Sequence, residues 1–324
     1  MQAETKNIKE KFKAIDIHIL RNVTRDINFD IYLKISDDNM AHIFSKTTGL
    51  DYKRLAQYIH RGVKELYIHV EDENAYKNFI SVTVDSIIND PSATTEKKIA
   101  TLLNMTEQNM AELFTQLNIE EDTATKAQKV VRNYVNLMSE SPKTLAIILQ
   151  LVSHGEYLYY HSIAVAIFSM LLAKASGQFK QKFLETIGMG GFLHDIGCTQ
   201  IPKETLNSPR ELTVAQWKEI RTHPKLGLNM IEQTPILPDE VRYIVYQHHE
   251  KMDGQGYPNG LLGSVIYYPA KIVSIADAFS ALISNRPFRA AYTVPQAIKI
   301  IQKENSHFDK DLVKLLSPLF LKTH

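Results

Sequence analysis

From residue 27 to residue 35 apolar and polar positions alternate, with Ile27, Phe29, Ile31, Leu33 and Ile35 on one face and Asn28, Asp30, Tyr32 and Lys34 on the other. A period of two predicts a half-buried strand. A second strand is expected at 65–70, where Leu66, Ile68 and Val70 alternate with Glu65, Tyr67 and His69. Between them 51–61 reads as a helix, with Gly62 in place to stop it. From 96 to 138 the period lengthens: Leu102, Leu103, Met110, Leu113, Phe114 and Leu117 form an approximate helical stripe, expected as a connector or packing helix pair.

After Pro142 no stretch keeps a period of two. The run 161–175 places Ala164, Val165, Phe168, Leu171 and Leu172 on one helical face, and 183–193 adds Phe183, Ile187, Gly190 and Gly191. Thr213-Val-Ala-Gln216 has the spacing of a capping box, opening a helix through Trp217, Ile220 and His223. The run 239–250 carries Val241, Ile244, Val245, His248 and His249, and 272–282 is another helical run. Trp217 and Phe192 are expected in the core. Pro91 and Pro142 are the only prolines among the first 200 residues, and both sit in turn-like breaks. The chain therefore divides into a small α/β domain over 1–90, a helical connector over 91–141 and an all-α domain over 142–324.

The length of 324 residues suits two domains. A formal net charge of +1 argues against a partner made of long nucleic acid, which calls for a basic excess. Cys198 is the single cysteine, which excludes internal disulfides and thiolate-rich zinc sites. The most apolar stretch, 163–175, falls short of the ~20 residues that span a bilayer, and the Lys- and Glu-rich start lacks the apolar core of a signal peptide. The expectation is a cytoplasmic protein with no membrane insertion.

Chemistry concentrates in the second half, where six of the twelve histidines lie between 154 and 249. His161, His194, His223, His248 and His249 fall where apolar stripes would point. Burying so many imidazoles is costly unless something satisfies their nitrogens; a metal does so. His194-Asp195 supplies adjacent nitrogen and carboxylate ligands, and a carboxylate has two oxygens with which to bridge two ions. Asp277 sits in an apolar helical run beside Ile275, Ala276, Ala278 and Phe279, a second acid in need of a partner. Five imidazoles, two carboxylates and no thiolate suit octahedral Fe, Mn or similar ions, with zinc less favoured.

These residues lie in longer motifs: His161-Ser162, FLHDIG at 192–197, HPKLG at 223–227, HHEKMDGQGYPNGL at 248–261, ADAFSAL at 276–282 and RPFR at 286–289. In that order and spacing, over 156–311, the chain resembles the HD-GYP subgroup of the HD-domain metal phosphohydrolases. The resemblance implies an all-α HD-type helical bundle that hydrolyses cyclic di-GMP or a related cyclic dinucleotide through a hydroxide bridging the metals. It implies His161, His194, Asp195, His223, His248, His249 and Asp277 as metal ligands, Asp195 and His194 being catalytic and Asp195 bridging. It also implies Tyr257, Arg286, Arg289 and Lys271 as substrate contacts, and a signalling protein as a partner for the GYP loop or the N-terminal domain.

The chain departs from the family pattern at Cys198 and Ser208, where lysine is usual, and at Lys271, Ser280 and Phe288. The losses of positive charge at Cys198 and Ser208 support an alternative, a non-catalytic effector that keeps its metals and binds a nucleotide or partner. A second alternative is a di-iron oxygenase. Glu156 is a candidate for a third cation and otherwise a solvated acid, and Cys198 reads as a small apolar filler or a metal-adjacent thiol. The first 140 residues hold no motif that carries chemistry; their place before the metal-binding half suggests regulation.

Overall fold

The computed structural model describes residues 11–17, 20, 26–140, 157–206, 208, 210–285, 289–304 and 306–321. The expectations for Glu156, Arg286 and Phe288 therefore lie outside the described residues. The chain folds into two compact units, 1–104 and 105–324.

The first unit is built on a four-stranded antiparallel sheet in the order β1-β4-β2-β3, with β1 Phe12–Asp16, β2 Ile31–Ser36, β3 Asn39–Phe44 and β4 Glu65–His69. The alternation that begins at Ile27 buries Ile27, Phe29 and Ile31, but it fades beyond them and leaves Ile35 60% exposed. The cause is local: β2 and β3 pair from Ile31↔Phe44 to Ser36↔Asn39 around a tight Asp37-Asp38 turn, with an irregularity between Lys34 and Ser36, so the hairpin tip runs past the core. Helix α1, Tyr52–His60, is opened by Asp51, whose side chain accepts from the backbone N–H of Lys53 and Arg54, and Gly62 follows it at φ +80°. Helix α2, Glu73–Ile88, buries Tyr76 and Phe79 edge-on against Phe29. The unit boundary falls within α3, Thr95–Leu113.

Among its described residues the second unit consists of helices joined by loops, with no strand beyond isolated bridges such as that between Asp253 and Leu262. Helix α4, Glu121–Glu140, packs against α6, Gln181–Leu193, while Gln128 donates to the Ile236 carbonyl. Helix α5, Tyr157–Ala175, lies against α4, α6 and α11, Tyr268–Ile283. The expected one-sided stripe on α5 is too narrow: Ile163, Ala166, Ile167, Met170 and Ala173 are buried along with Ala164, Val165, Phe168 and Leu172, because neighbouring helices cover it on several sides. A helix apolar all round is one placed inside a core. Phe168, Phe279 and Phe320 form an aromatic cluster, the last from α14, Leu316–Phe320.

Between these lie the short α7, Lys203–Leu206; α8, Val214–Ile220; α9, His223–Glu232; and α10, Asp239–Gln247. Helix α12, Val294–Lys303, and α13, Lys310–Lys314, complete the unit. The capping box at Thr213 and Gln216 forms with both of its reciprocal hydrogen bonds. Phe192 is buried as expected, whereas Trp217 is 48% exposed. The core expectation for Trp217 fails because α8 is a surface helix with no buried residue. No described helix is long and apolar enough to cross a membrane.

Candidate metal centre

The fold brings all seven proposed ligands from five segments of the helical unit to one place. His161 comes from α5, His194 and Asp195 from the end of α6, His223 from the first turn of α9, His248 and His249 from the end of α10, and Asp277 from α11. Asp195 is central. Its Oδ2 lies 3.3 Å from His194 Nε2 and 3.8 Å from His161 Nε2, and its Oδ1 lies 3.2 Å from His223 Nε2 and 3.8 Å from His248 Nε2. Asp277 closes the first group through Oδ1, 3.0 Å from His161 Nε2 and 4.0 Å from His194 Nε2. Its Oδ2 reaches towards His249, 4.0 Å from Nδ1. The two clusters of candidate ligands, His161-His194-Asp195 and Asp195-His223-His248-His249, thus share one carboxylate.

The imidazoles are held by their far nitrogens. Nδ1 of His194, His223 and His248 each lies 2.8 Å from the carbonyl oxygen three residues back, at Gly191, Ile220 and Val245. A carbonyl only accepts, so each Nδ1 carries a proton, and whenever such a ring is neutral its Nε2 turns a bare lone pair inward. His161 Nδ1 is held instead by Ser280 Oγ at 3.1 Å. The inward nitrogens are left badly provided for. His223 Nε2 and His248 Nε2 face each other at 3.1 Å, two lone pairs in contact when both rings are neutral, and buried His194 Nε2 has no hydrogen-bond partner despite the nearby Asp195 oxygen. Cations between these nitrogens and the carboxylates would satisfy them all, so the residues present fit a metal centre.

Electrostatics agree with that fit. Burial by itself would raise Asp195, but His194, His223 and His161 hold its carboxyl well below the ordinary range. Asp277, also pushed up by burial, is lowered by His161 above all. Burial lowers His161 and, with the other imidazoles, His248 and His249, the last to about 4. Burial opposes protonation of His194 too, yet the Asp195 charge raises it to about 9. Deprotonated acids facing mostly neutral imidazoles are the protonation states that ligands need.

The loop after α10 folds back onto these ligands. Glu250, 2% exposed, accepts from the backbone N–H of Asn259 at 2.7 Å and of Leu261 at 2.9 Å. Tyr257 N donates to the His249 carbonyl at 3.1 Å, and a Cβ on Gly256 would stand 2.6 Å from that same oxygen. Tyr257, followed by a cis bond to Pro258, stacks its ring on His249 at 4.6 Å. Burial first, then the Asp195 and Asp277 charges, drive the Tyr257 hydroxyl far up, so it stays protonated.

The other expected substrate contacts are placed differently. Lys271 Nζ lies 3.9 Å from Asp309. Arg289 donates to the carbonyls of Ala281, Leu282 and Ala290 and covers Tyr292, so its donors serve the end of α11. Ser280 and Glu250 went unassigned in the sequence because their work is to orient a ligand ring and a loop, and only the fold shows what they touch. Replacing Ser280 with alanine should remove the hydrogen bond at His161 Nδ1 and weaken metal affinity by roughly 10- to 100-fold at unchanged helix content; metal titration followed by calorimetry, with circular dichroism as control, checks it.

Residues 164–312 match the model of the HD domain family. A cyclic di-GMP phosphodiesterase of Pseudomonas aeruginosa is 31% identical over 173 residues, 53% of this chain and 42% of that protein. The cyclic di-GMP phosphodiesterase response regulator RpfG of Xanthomonas campestris is 36% identical over 132 residues, 40% of this chain and 35% of that protein. A 3'3'-cGAMP-specific phosphodiesterase of Vibrio cholerae is 28% identical over 218 residues, 66% of this chain and 39% of that protein. The chain thus spans less than half the length of these relatives. Among solved structures, a HDG"Y"P protein from Bdellovibrio bacteriovorus superposes with a TM-score of 0.71 at 19% identity, covering 96% of this chain and 99% of that one, a likeness of fold.

Proposed function

We propose that this chain, whose residues 164–312 match the HD domain family, is a metal-dependent phosphodiesterase of the HD-GYP kind that opens a cyclic dinucleotide, cyclic di-GMP being the first candidate. The observation that carries the reading is the convergence of five imidazoles and two carboxylates on a centre divided by Asp195. His161, His194, Asp277 and Asp195 Oδ2 would hold one divalent ion; Asp195 Oδ1, His223, His248 and His249 the other. Iron is the first candidate and manganese the second. When bound, such ions activate water and neutralise phosphate oxygens during in-line displacement.

The protein's own part is positional. Asp195 ties the two ligand groups together, and the carbonyls of Gly191, Ile220 and Val245 fix the ring orientations. Tyr257 walls one side of the centre with a protonated hydroxyl available to donate, and Glu250 pins the loop that carries it. No side-chain nucleophile is needed. A second reading, ligand binding without turnover, is favoured by Cys198, a buried residue three positions after Asp195 where the family pattern carries a lysine.

Stripping the full chain with a chelator should abolish conversion of cyclic di-GMP to a linear product, and Fe(II) without oxygen or Mn(II) should restore it, as read by chromatography. Stoichiometric metal with nucleotide binding and no linear product from cyclic di-GMP or cyclic GMP-AMP would replace this reading with the second.

A further inference from the structure

A centre that handles phosphodiesters should offer the substrate a cation besides its metals, and among the described residues the two cations expected from the sequence, Lys271 and Arg289, are engaged elsewhere. Lys271 faces Asp309, and Arg289 serves the carbonyls at the end of α11. Arg221, which caps α8 two residues before His223, is placed for that task. Its Cζ lies 5.5 Å from the centroid of Tyr257, whose ring stacks on His249 and stands edge-on to His223 at 6.3 Å. Arg221 is exposed, and among the described residues no carboxylate pairs with it; the nearby Glu219 accepts from Thr205 instead. A guanidinium resting on an aromatic face keeps its five donors in one plane and available to an anion.

We propose that Arg221 is the phosphate-binding side chain of this centre, gripping a phosphate of the substrate at the edge of the Tyr257 ring while the scissile phosphate lies over the ligands. The assignment rests on the phosphodiesterase reading for its substrate, but its anion chemistry can be tested without turnover. Arg221 recruits and orients the phosphodiester; it adds no proton transfer and holds no metal.

The test uses the metal-loaded full chain, with inorganic phosphate and cyclic di-GMP as probes. Trp217, the sole tryptophan, lies one turn before Arg221 and is half exposed, so its fluorescence reports on binding alongside calorimetry. Arg221→Met should weaken both probes about tenfold, as expected for one solvent-exposed charge-assisted contact. It should raise KM about as much, with kcat within twofold and metal content unchanged; Arg221→Lys should recover part of the loss. Unchanged phosphate affinity in Arg221→Met overturns the assignment even if the wild type turns over. A fall in metal content and kcat together also overturns it, in favour of a structural role. Tenfold weaker phosphate binding in a protein that never opens a cyclic dinucleotide would uphold Arg221 and sink the phosphodiesterase reading alone.

Discussion

Asp195→Asn is expected to lower turnover of cyclic di-GMP about a thousandfold or more and to cut bound metal from two ions per chain to one or fewer. An amide offers one carbonyl oxygen where the carboxylate offers two, and its NH2 would face either the His194 side or the His223 side, now 3.3 and 3.2 Å from opposite oxygens. It also removes the negative charge between the two ligand groups. Losing one cation's stabilisation of the transition state costs several kcal/mol, each ~1.4 kcal/mol being tenfold in rate. Elemental analysis together with steady-state kinetics decides it. Wild-type metal content and rate in Asp195→Asn would mean that the bridge is not the organising element.

Gly197→Ala should be the most damaging single methyl in the helical unit. Gly197 follows the HD pair in a turn of 3-10 helix, and a Cβ there would run into the His223 carbonyl oxygen and stand 2.5 Å from Gly227 N. Both obstacles are backbone of α9, which can yield only by moving away, carrying His223 from its place beside Asp195. Overpacking against rigid neighbours costs roughly 3 kcal/mol, which for a domain this size lowers Tm by about 10 °C. Thermal unfolding measures the first effect and metal titration the second. A variant with wild-type Tm and metal affinity would show that α9 does not rest on this turn.

The candidate ligands stand out in the sequence because they break the chemistry of the stripes that carry them. His248 and His249 end a run of Val241, Ile244 and Val245, and Asp277 interrupts an apolar helix, so each stands out against its own period. What holds the ligands was not legible. The acceptors for three Nδ1 atoms are backbone carbonyls, which have no letter in the sequence, and Ser280 meets His161 only because α5 and α11 pack together. Arg221 is an ordinary surface arginine until the loop at 248–261 folds back to put Tyr257 beneath it.

In the first unit, β2 and β4 announced themselves by alternation, while β1 and β3 did not. Phe12–Asp16 buries little besides Ile15, and Asn39–Phe44 has no buried residue before Ile43 and Phe44. Both are edge strands, where pairing with a neighbour rather than burial on a face makes the strand. Trp217 shows the converse error, in which a large apolar residue on a short capped helix was assigned to a core that α8 does not reach.

The most direct test of the two-ion centre is anomalous diffraction from crystals of the metal-loaded chain, collected on either side of the iron or manganese edge. Two peaks are predicted on opposite sides of the Asp195 carboxylate, one beside His161, His194 and Asp277 and the other beside His223, His248 and His249. A metal-loaded crystal with its peaks elsewhere, or with a single ion that leaves one of these groups without a cation, would contradict the account.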